Sequence, residues 1–162
     1  VSSATKPVQI KPDWRNPIHL LAFGFGSGAA SFAPGTWGTV AALLPYYFLQ
    51  DLSLLPYLAV IVISFLAGIY ICGQTSKDLK VHDHGGIVWD EFVGLWITLM
   101  AVPTGWHWVA LGFVLFRIFD IAKPWPIRWA DRQVSGGFGI MLDDVLAGIY
   151  AWIVLQLIIL MF

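Results

Sequence analysis

Apolar residues in this chain come in long unbroken runs, and polar residues collect in a few short clusters between them. Leu54 to Gly73 is an uncharged run of 20 residues, and Val145 to Phe162 is one of 18. Twenty helical residues extend roughly 30 Å, the thickness of a bilayer's hydrocarbon core. Phe92 to Phe116 is also uncharged, but Pro103, Thr104 and Gly105 interrupt it. Pro and Gly together mark a turn, so the pattern predicts a helical hairpin over 87–102 and 106–121. A shorter helix is expected over 36–50, containing Pro45, and a short interfacial helix over 17–25. The predicted fold is all-α: a polytopic membrane helical bundle with short interfacial helices, in one integral-membrane domain over 1–162. Its membrane helices are placed at 36–50, 54–73, 87–102, 106–121 and 145–162.

Composition agrees with a bilayer as the main solvent. Hydrophobic residues make up 58% of the 162 residues and charged residues only 12%, half the usual share for a soluble domain. Many of the nine Trp lie at the ends of apolar runs, like the aromatic belt of membrane proteins. The net charge of −1 creates no field that would point to nucleic acid. A lone Cys72 excludes a disulfide framework and a four-cysteine zinc site. Lys6, Lys11 and Arg15 before IHLLAF and GSGAAS resemble a signal peptide, but the apolar patch is short and broken by glycines, so an uncleaved segment is expected.

The basic residues give an orientation. If the five runs alternate across the bilayer, residues 1–16, 74–86 and 122–143 share one side. That side holds Lys6, Lys11, Arg15, Lys77, Lys80, Lys123, Arg128 and Arg132. The opposite loops, near 51–53 and 103–105, hold no Lys or Arg. The positive-inside rule assigns the basic side, with the N-terminal segment 1–16, to the cytoplasm.

Three of the predicted helices begin on that side, and their starts carry the least ordinary residues. FGFGSGAASFAPGTWGT, residues 23–39, combines glycines with Pro34-Gly35 at a helix start. Free amides there, with Thr36 and Thr39, could cradle an anion. No Gly-Lys-Ser/Thr follows, so it is not a Walker A loop. Asp90 and Glu91 begin the second helix, and Asp143 and Asp144 the third. Each acidic pair precedes a glycine, Gly94 or Gly148, by about one turn, which allows close helix approach. Capping by acids explains one carboxylate per helix. It does not explain two adjacent pairs at membrane depth, where unpartnered charge is costly. A hard divalent cation resolves this. Mg²⁺ takes oxygen ligands, keeps waters, and is typically held by one or two carboxylates plus substrate phosphate. One member of each pair then binds metal while the other orients or exchanges a proton.

The stretch RIFDIAKPWPIRWADR, residues 117–132, returns to the same side. Arg117, Asp120 and Lys123 share a helical face by their spacing. Lys123, Arg128 and Arg132 stand beside Trp125 and Trp129, either as a basic topological loop or as an anchor for a phosphate headgroup. Asp120 is a further metal ligand or the partner of Arg117. His82 and His84 are either solvated loop residues or a proton source.

Taken in order, the blocks NPIHLLAFGFGSG, APGTWGT, VHDHGGIVWDEFVGLWITLMA, FRIFDIAKPWPIRWADR and GGFGIMLDDVLAG resemble the phosphatidylglycerophosphatase A family, from about Asn16 to Tyr150. The resemblance implies an all-helical, multi-pass protein of the bacterial inner membrane. It implies Mg²⁺-dependent hydrolysis of phosphatidylglycerophosphate to phosphatidylglycerol and phosphate. It points to Asp90, Glu91, Asp143 and Asp144 as the catalytic and metal-binding set, and Gly35, Thr36, Lys123 and Pro124 match the family's other blocks. On physical grounds Gly35, Thr36, Thr39, Arg117, Lys123 and Arg128 are the candidate phosphate contacts. The competing classes are a small transporter with carboxylate ion sites and a phosphatase of another lipid phosphate.

Overall fold

The computed structural model describes residues 10–162 and is helical throughout them. Lys6 and most of the expected N-terminal segment lie outside the described residues. In chain order the helices are α1 (Pro17–Ala22), α2 (Pro34–Leu49), α3 (Leu54–Leu79), α4 (Trp89–Thr98), α5 (Trp106–Ala122), α6 (Ile127–Gln133) and α7 (Gly136–Met161), with a 3₁₀ turn at Ser27–Ala29. Two of them, α3 and α7, are long and apolar enough to cross a membrane. At 26 residues each they extend about 39 Å. Large apolar side chains such as Leu44, Phe48, Leu55, Ile63, Leu66 and Leu160 point outward, as a lipid-facing surface requires.

The bundle is built around α7 and α4. The first packs on α3, α4, α5 and α6; the second packs on α2, α3, α5 and α7. Nearly every residue of α4 is buried, from Asp90 to Trp96 and again at Thr98, so its acidic first turn is enclosed along with its apolar remainder. Its ten residues extend only about 15 Å, so it is shorter than the run predicted over 87–102. The chain turns at Leu99–Ala101, where Ala101 has φ 55°. The carbonyl groups freed at this early stop need partners. From α7, Trp152 Nε1 and Gln156 Nε2 donate to the Met100 oxygen at 3.0 and 3.1 Å. Tyr57 Oη of α3 donates to the Trp96 oxygen at 2.6 Å.

Three other boundaries differ from the periodic reading. Helix α3 continues six residues past Gly73, and α7 begins at Gly136, nine residues before the apolar run. Both extensions come from glycines that serve packing rather than termination. A Cβ on Gly137 would collide with the Ile69 carbonyl group, and one on Gly73 would stand 3.2 Å from Gly137. The two helices therefore approach closely at and beyond the ends of their uncharged runs. After Pro124 and Pro126 the chain forms α6, where only a basic loop was expected.

Short contacts tie the α1 region to the bundle. Asn16 caps α1 by accepting from the Ile18 amide at 3.0 Å, with Pro17 in the first turn, a favoured pairing. His19 Nδ1 accepts from the Asp13 amide at 3.0 Å. Its proton is therefore on Nε2, which faces Asp78 Oδ2 at 3.0 Å. The Val88 amide donates to the Ala22 oxygen at 2.8 Å, which fixes the loop that leads into α4.

Candidate active site

Helix α4 meets α7 through glycine. A Cβ on Gly148 would stand 2.5 Å from the Gly94 carbonyl oxygen, and one on Gly94 would stand 2.8 Å from the main-chain carbonyl oxygen of Asp144. Thr98 closes the crossing by donating its hydroxyl to the Gly94 and Gly148 oxygens at 3.0 and 3.3 Å. Asp90 and Asp144 each stand one helical turn before these glycines, so the contact brings the two acidic pairs together. All four carboxylates are buried, Asp144 the most completely. Asp120, Asp90, Asp143 and Glu91 all lie within electrostatic reach of Asp144. The pair Asp143–Asp144 is not at a helix mouth as predicted. It lies two turns inside α7, which starts early for the packing reason given above.

Two cations neutralise part of this charge. Arg117 of α5 pairs through one terminal nitrogen with Glu91 Oε2, at 3.1 Å, and with Asp120 Oδ2. Asp120 is thus the partner of Arg117, the second of the two roles its spacing allowed. Lys123, the C-cap of α5, reaches Asp143 Oδ2 at 2.6 Å and Asp131 Oδ1 at 2.7 Å. Partial burial works against its charge, but hydrogen bonds to Asp131 and Asp143 outweigh this and hold its pKa above the ordinary lysine value.

The start of α2 closes the site on another side. Fully buried Thr39 places its hydroxyl 2.9 Å from the Gly35 oxygen and 2.6 Å from Glu91 Oε2. It therefore holds a carboxylate in place, where a phosphate contact was expected. Gly35 has a steric reason to be glycine, since its Cβ would lie 2.5 Å from Glu91 Oε1. Helix α2 has no side-chain cap at its N-terminus, and partly buried Thr36 sits in that first turn.

Among the described residues, Asp90 and Asp144 are the carboxylates of the cluster left without a cation. Asp90 Oδ1 accepts from the Glu91 amide at 3.0 Å. Asp144 Oδ2 is buried, with no hydrogen-bond partner among the described residues. A buried carboxylate oxygen in that state is costly. Among the described residues, no three His, Cys, Asp or Glu side chains form a ready metal cage. An all-oxygen donor set with one orphaned atom nevertheless fits a hard cation held by one or two carboxylates and water.

The remaining predicted residues lie around this centre. Arg128 is exposed on α6 and donates to the Ala122 oxygen at 3.1 Å. His82 is exposed. His84 Nδ1 accepts from the Gly86 amide at 3.0 Å, and its ring packs on Phe23. Neither imidazole is hydrogen-bonded to a carboxylate of the cluster among the described residues. Asp131 was missed. Nothing in its local spacing signals a contact with Lys123 eight residues earlier across two prolines.

Comparison with known proteins adds an independent finding. The family model for phosphatidylglycerophosphatase A matches residues 20–159, a stretch that encloses every carboxylate of the cluster. The chain is 58% identical over 135 residues to the phosphatidylglycerophosphatase A of Escherichia coli strain K12, covering 83% of this chain and 78% of that protein. It is 55% identical over 141 residues to the Haemophilus influenzae protein of the same name, covering 86% of each. It is also 42% identical over 144 residues to a Bacteroides thetaiotaomicron protein named as a candidate phosphatidylinositol-3-phosphatase, covering 84% of this chain and 89% of that one. No solved structure matches the chain.

Proposed function

Because this chain belongs to the phosphatidylglycerophosphatase A family and is a phosphatase, we propose that it hydrolyses the terminal phosphomonoester of phosphatidylglycerophosphate, releasing phosphatidylglycerol and inorganic phosphate. The observation that supports this reading is the buried Asp144, whose Oδ2 has no hydrogen-bond partner among the described residues, one turn before the crossing of Gly148 with Gly94. Phosphomonoester hydrolysis needs neutralisation of charge on the transferred group, and a carboxylate site without enough cations is suited to recruit a metal.

Asp90 and Asp144 are the residues that would hold Mg²⁺, with Asp143 and Glu91 next to them. Bound there, Mg²⁺ would supply Lewis-acid stabilisation of phosphoryl oxygens and a more acidic water. Glu91 is fixed by Thr39 and Arg117, so its carboxylate is oriented before substrate arrives. Lys123 sits at the edge of the cluster between Asp143 and Asp131, where its ammonium can turn toward an incoming phosphate as a point charge. The uncapped start of α2, at Gly35 and Thr36, offers amides to the same phosphate. The basic segments 74–86 and 122–143 support a cytoplasmic site in a bacterial inner-membrane protein. The acyl chains then stay in the bilayer while the headgroup enters from the interface.

A second lipid phosphate, phosphatidylinositol 3-phosphate, is favoured by the name of the Bacteroides relative. The test is phosphate release by purified protein in detergent from both lipids, with Mg²⁺ and then with a chelator. Mg²⁺-dependent release mainly from phosphatidylglycerophosphate is expected. Release mainly from the inositol lipid would replace the substrate, and undiminished release in chelator would remove the metal.

A further inference from the structure

Free positive charge near the site is not on the residues that face the carboxylates. Arg117 and Lys123 are both ion-paired. Arg128 and Arg132 have no ion pair among the described residues, and they lie on the outward face of α6. That helix turns Ile127 and Ala130 into the core. The spacing then puts residues 128, 129 and 132 on the opposite side, and Trp125, which precedes the helix, lies on the same side of the groove. Trp125 and Trp129 there are 78% and 55% exposed, as fits side chains at the level of lipid headgroups. The four line a groove of about 390 Å³ whose wall includes Lys123. Lys123 therefore joins the groove to the carboxylates, since its Nζ stands 2.6 Å from Asp143. One guanidinium nitrogen of Arg128 is committed to the Ala122 oxygen, which steadies the group and leaves its other donors free.

Two unpaired guanidinium groups beside exposed indoles complement an oxyanion attached to a lipid. Phosphatidylglycerophosphate carries two phosphates. Its terminal monoester must reach the carboxylates. Its diester, which bears the acyl chains, stays behind by one three-carbon bridge, on the membrane side. We propose that the α6 groove, through Arg128 and Arg132, binds this phosphodiester and selects lipids with a diester and a monoester over lipids with a monoester alone. The inference rests on the proposed activity. Phosphatidic acid, which has only a monoester, is the discriminating comparison.

The first test is the kinetics of the full chain in neutral detergent with Mg²⁺, on phosphatidylglycerophosphate and on phosphatidic acid. In the Arg128→Gln/Arg132→Gln protein, the ratio of kcat/KM between the two lipids is expected to fall about tenfold, the loss carried by KM. Equal losses on both lipids, or no loss on either, would overturn the proposal. So would a loss seen only after anionic vesicles are added, because the groove would then contact bulk lipid. The second test needs no turnover. Short-chain phosphatidylglycerol, which has the diester alone, is titrated against tryptophan fluorescence. The double variant is expected to bind about tenfold more weakly, and unchanged binding would overturn the groove whichever lipid is hydrolysed. Failure of the proposed activity is read separately, from wild-type protein that releases no phosphate from phosphatidylglycerophosphate.

Discussion

Gly148 lies against Gly94 so closely that a single added carbon would stand 2.5 Å from the Gly94 carbonyl oxygen. The contact sets the distance between the acidic pairs one turn earlier on each helix. Gly148→Ala should cost about 1–3 kcal/mol by overpacking and should reduce turnover by separating Asp90 from Asp144. Gly85→Ala is the matched control, since nothing lies within 4 Å of its Cβ position. Melting temperature and phosphate release in detergent check this, and a Gly148→Ala protein indistinguishable from wild type would contradict the close crossing.

Asp144 predicts an unusual sign. Its buried Oδ2 has no partner among the described residues, so in chelator Asp144→Asn should melt no lower than wild type, with a gain of about 1–3 kcal/mol where the carboxylate had been strained by burial. Mg²⁺ should raise the melting temperature of wild type through binding to the folded state and should leave the variant unmoved. Equal Mg²⁺ shifts in both proteins would place the cation elsewhere.

Arg117 is predicted to matter for folding as much as for chemistry. It is the cation that pairs with both Glu91 and Asp120, so Arg117→Ala leaves two largely buried carboxylates uncompensated, a loss of about 3–5 kcal/mol. Arg117→Lys should recover most of this, because one terminal nitrogen makes both contacts and an ammonium can donate to both carboxylates. Denaturation in mild detergent orders the three proteins, and no recovery by Lys would count against the single bridging nitrogen.

Lys123 gives a pH dependence. Its folded pKa is raised by Asp131 and Asp143 against the opposing effect of partial burial. A raised pKa means that its stabilisation is complete below the unfolded lysine value, about 10.4, and is lost as pH rises through the folded value. The melting difference between wild type and Lys123→Met should therefore be flat from about pH 7 to 10 and shrink only above that. A difference that fades between pH 7 and 9 would show that the pair is not held as described.

Much of the site was legible locally. The one-turn interval from Asp90 to Gly94, repeated from Asp144 to Gly148, allowed the close approach, and the shared side of the helix starts suggested the convergence. The three-residue interval from Arg117 to Asp120 offered their pairing on α5 as one of two roles for Asp120. The contacts of Lys123 with Asp131 and Asp143 were not legible, because they depend on how α6 folds back after Pro124 and Pro126. Helix ends were misread where they were set by the limits of uncharged runs. Those runs stop at Gly73 and start after Asp144, yet α3 and α7 continue past these limits because they touch at Gly73 and Gly137. The short extent of α4 was hidden as well. Apolar residues continue past Thr98, and the stop is stabilised by Trp152 and Gln156 from more than fifty residues away.

In the proposed mechanism, Asp90 and Asp144 form the cation site on which phosphate release depends. The decisive experiment is the rate of phosphate release from phosphatidylglycerophosphate across a Mg²⁺ titration, for wild type and Asp144→Asn side by side. Wild type should show saturable, chelator-sensitive release, and the variant a rate at least about a hundredfold lower at every Mg²⁺ concentration. Release by wild type that ignores Mg²⁺, or a variant that follows the wild-type curve, would contradict this mechanism.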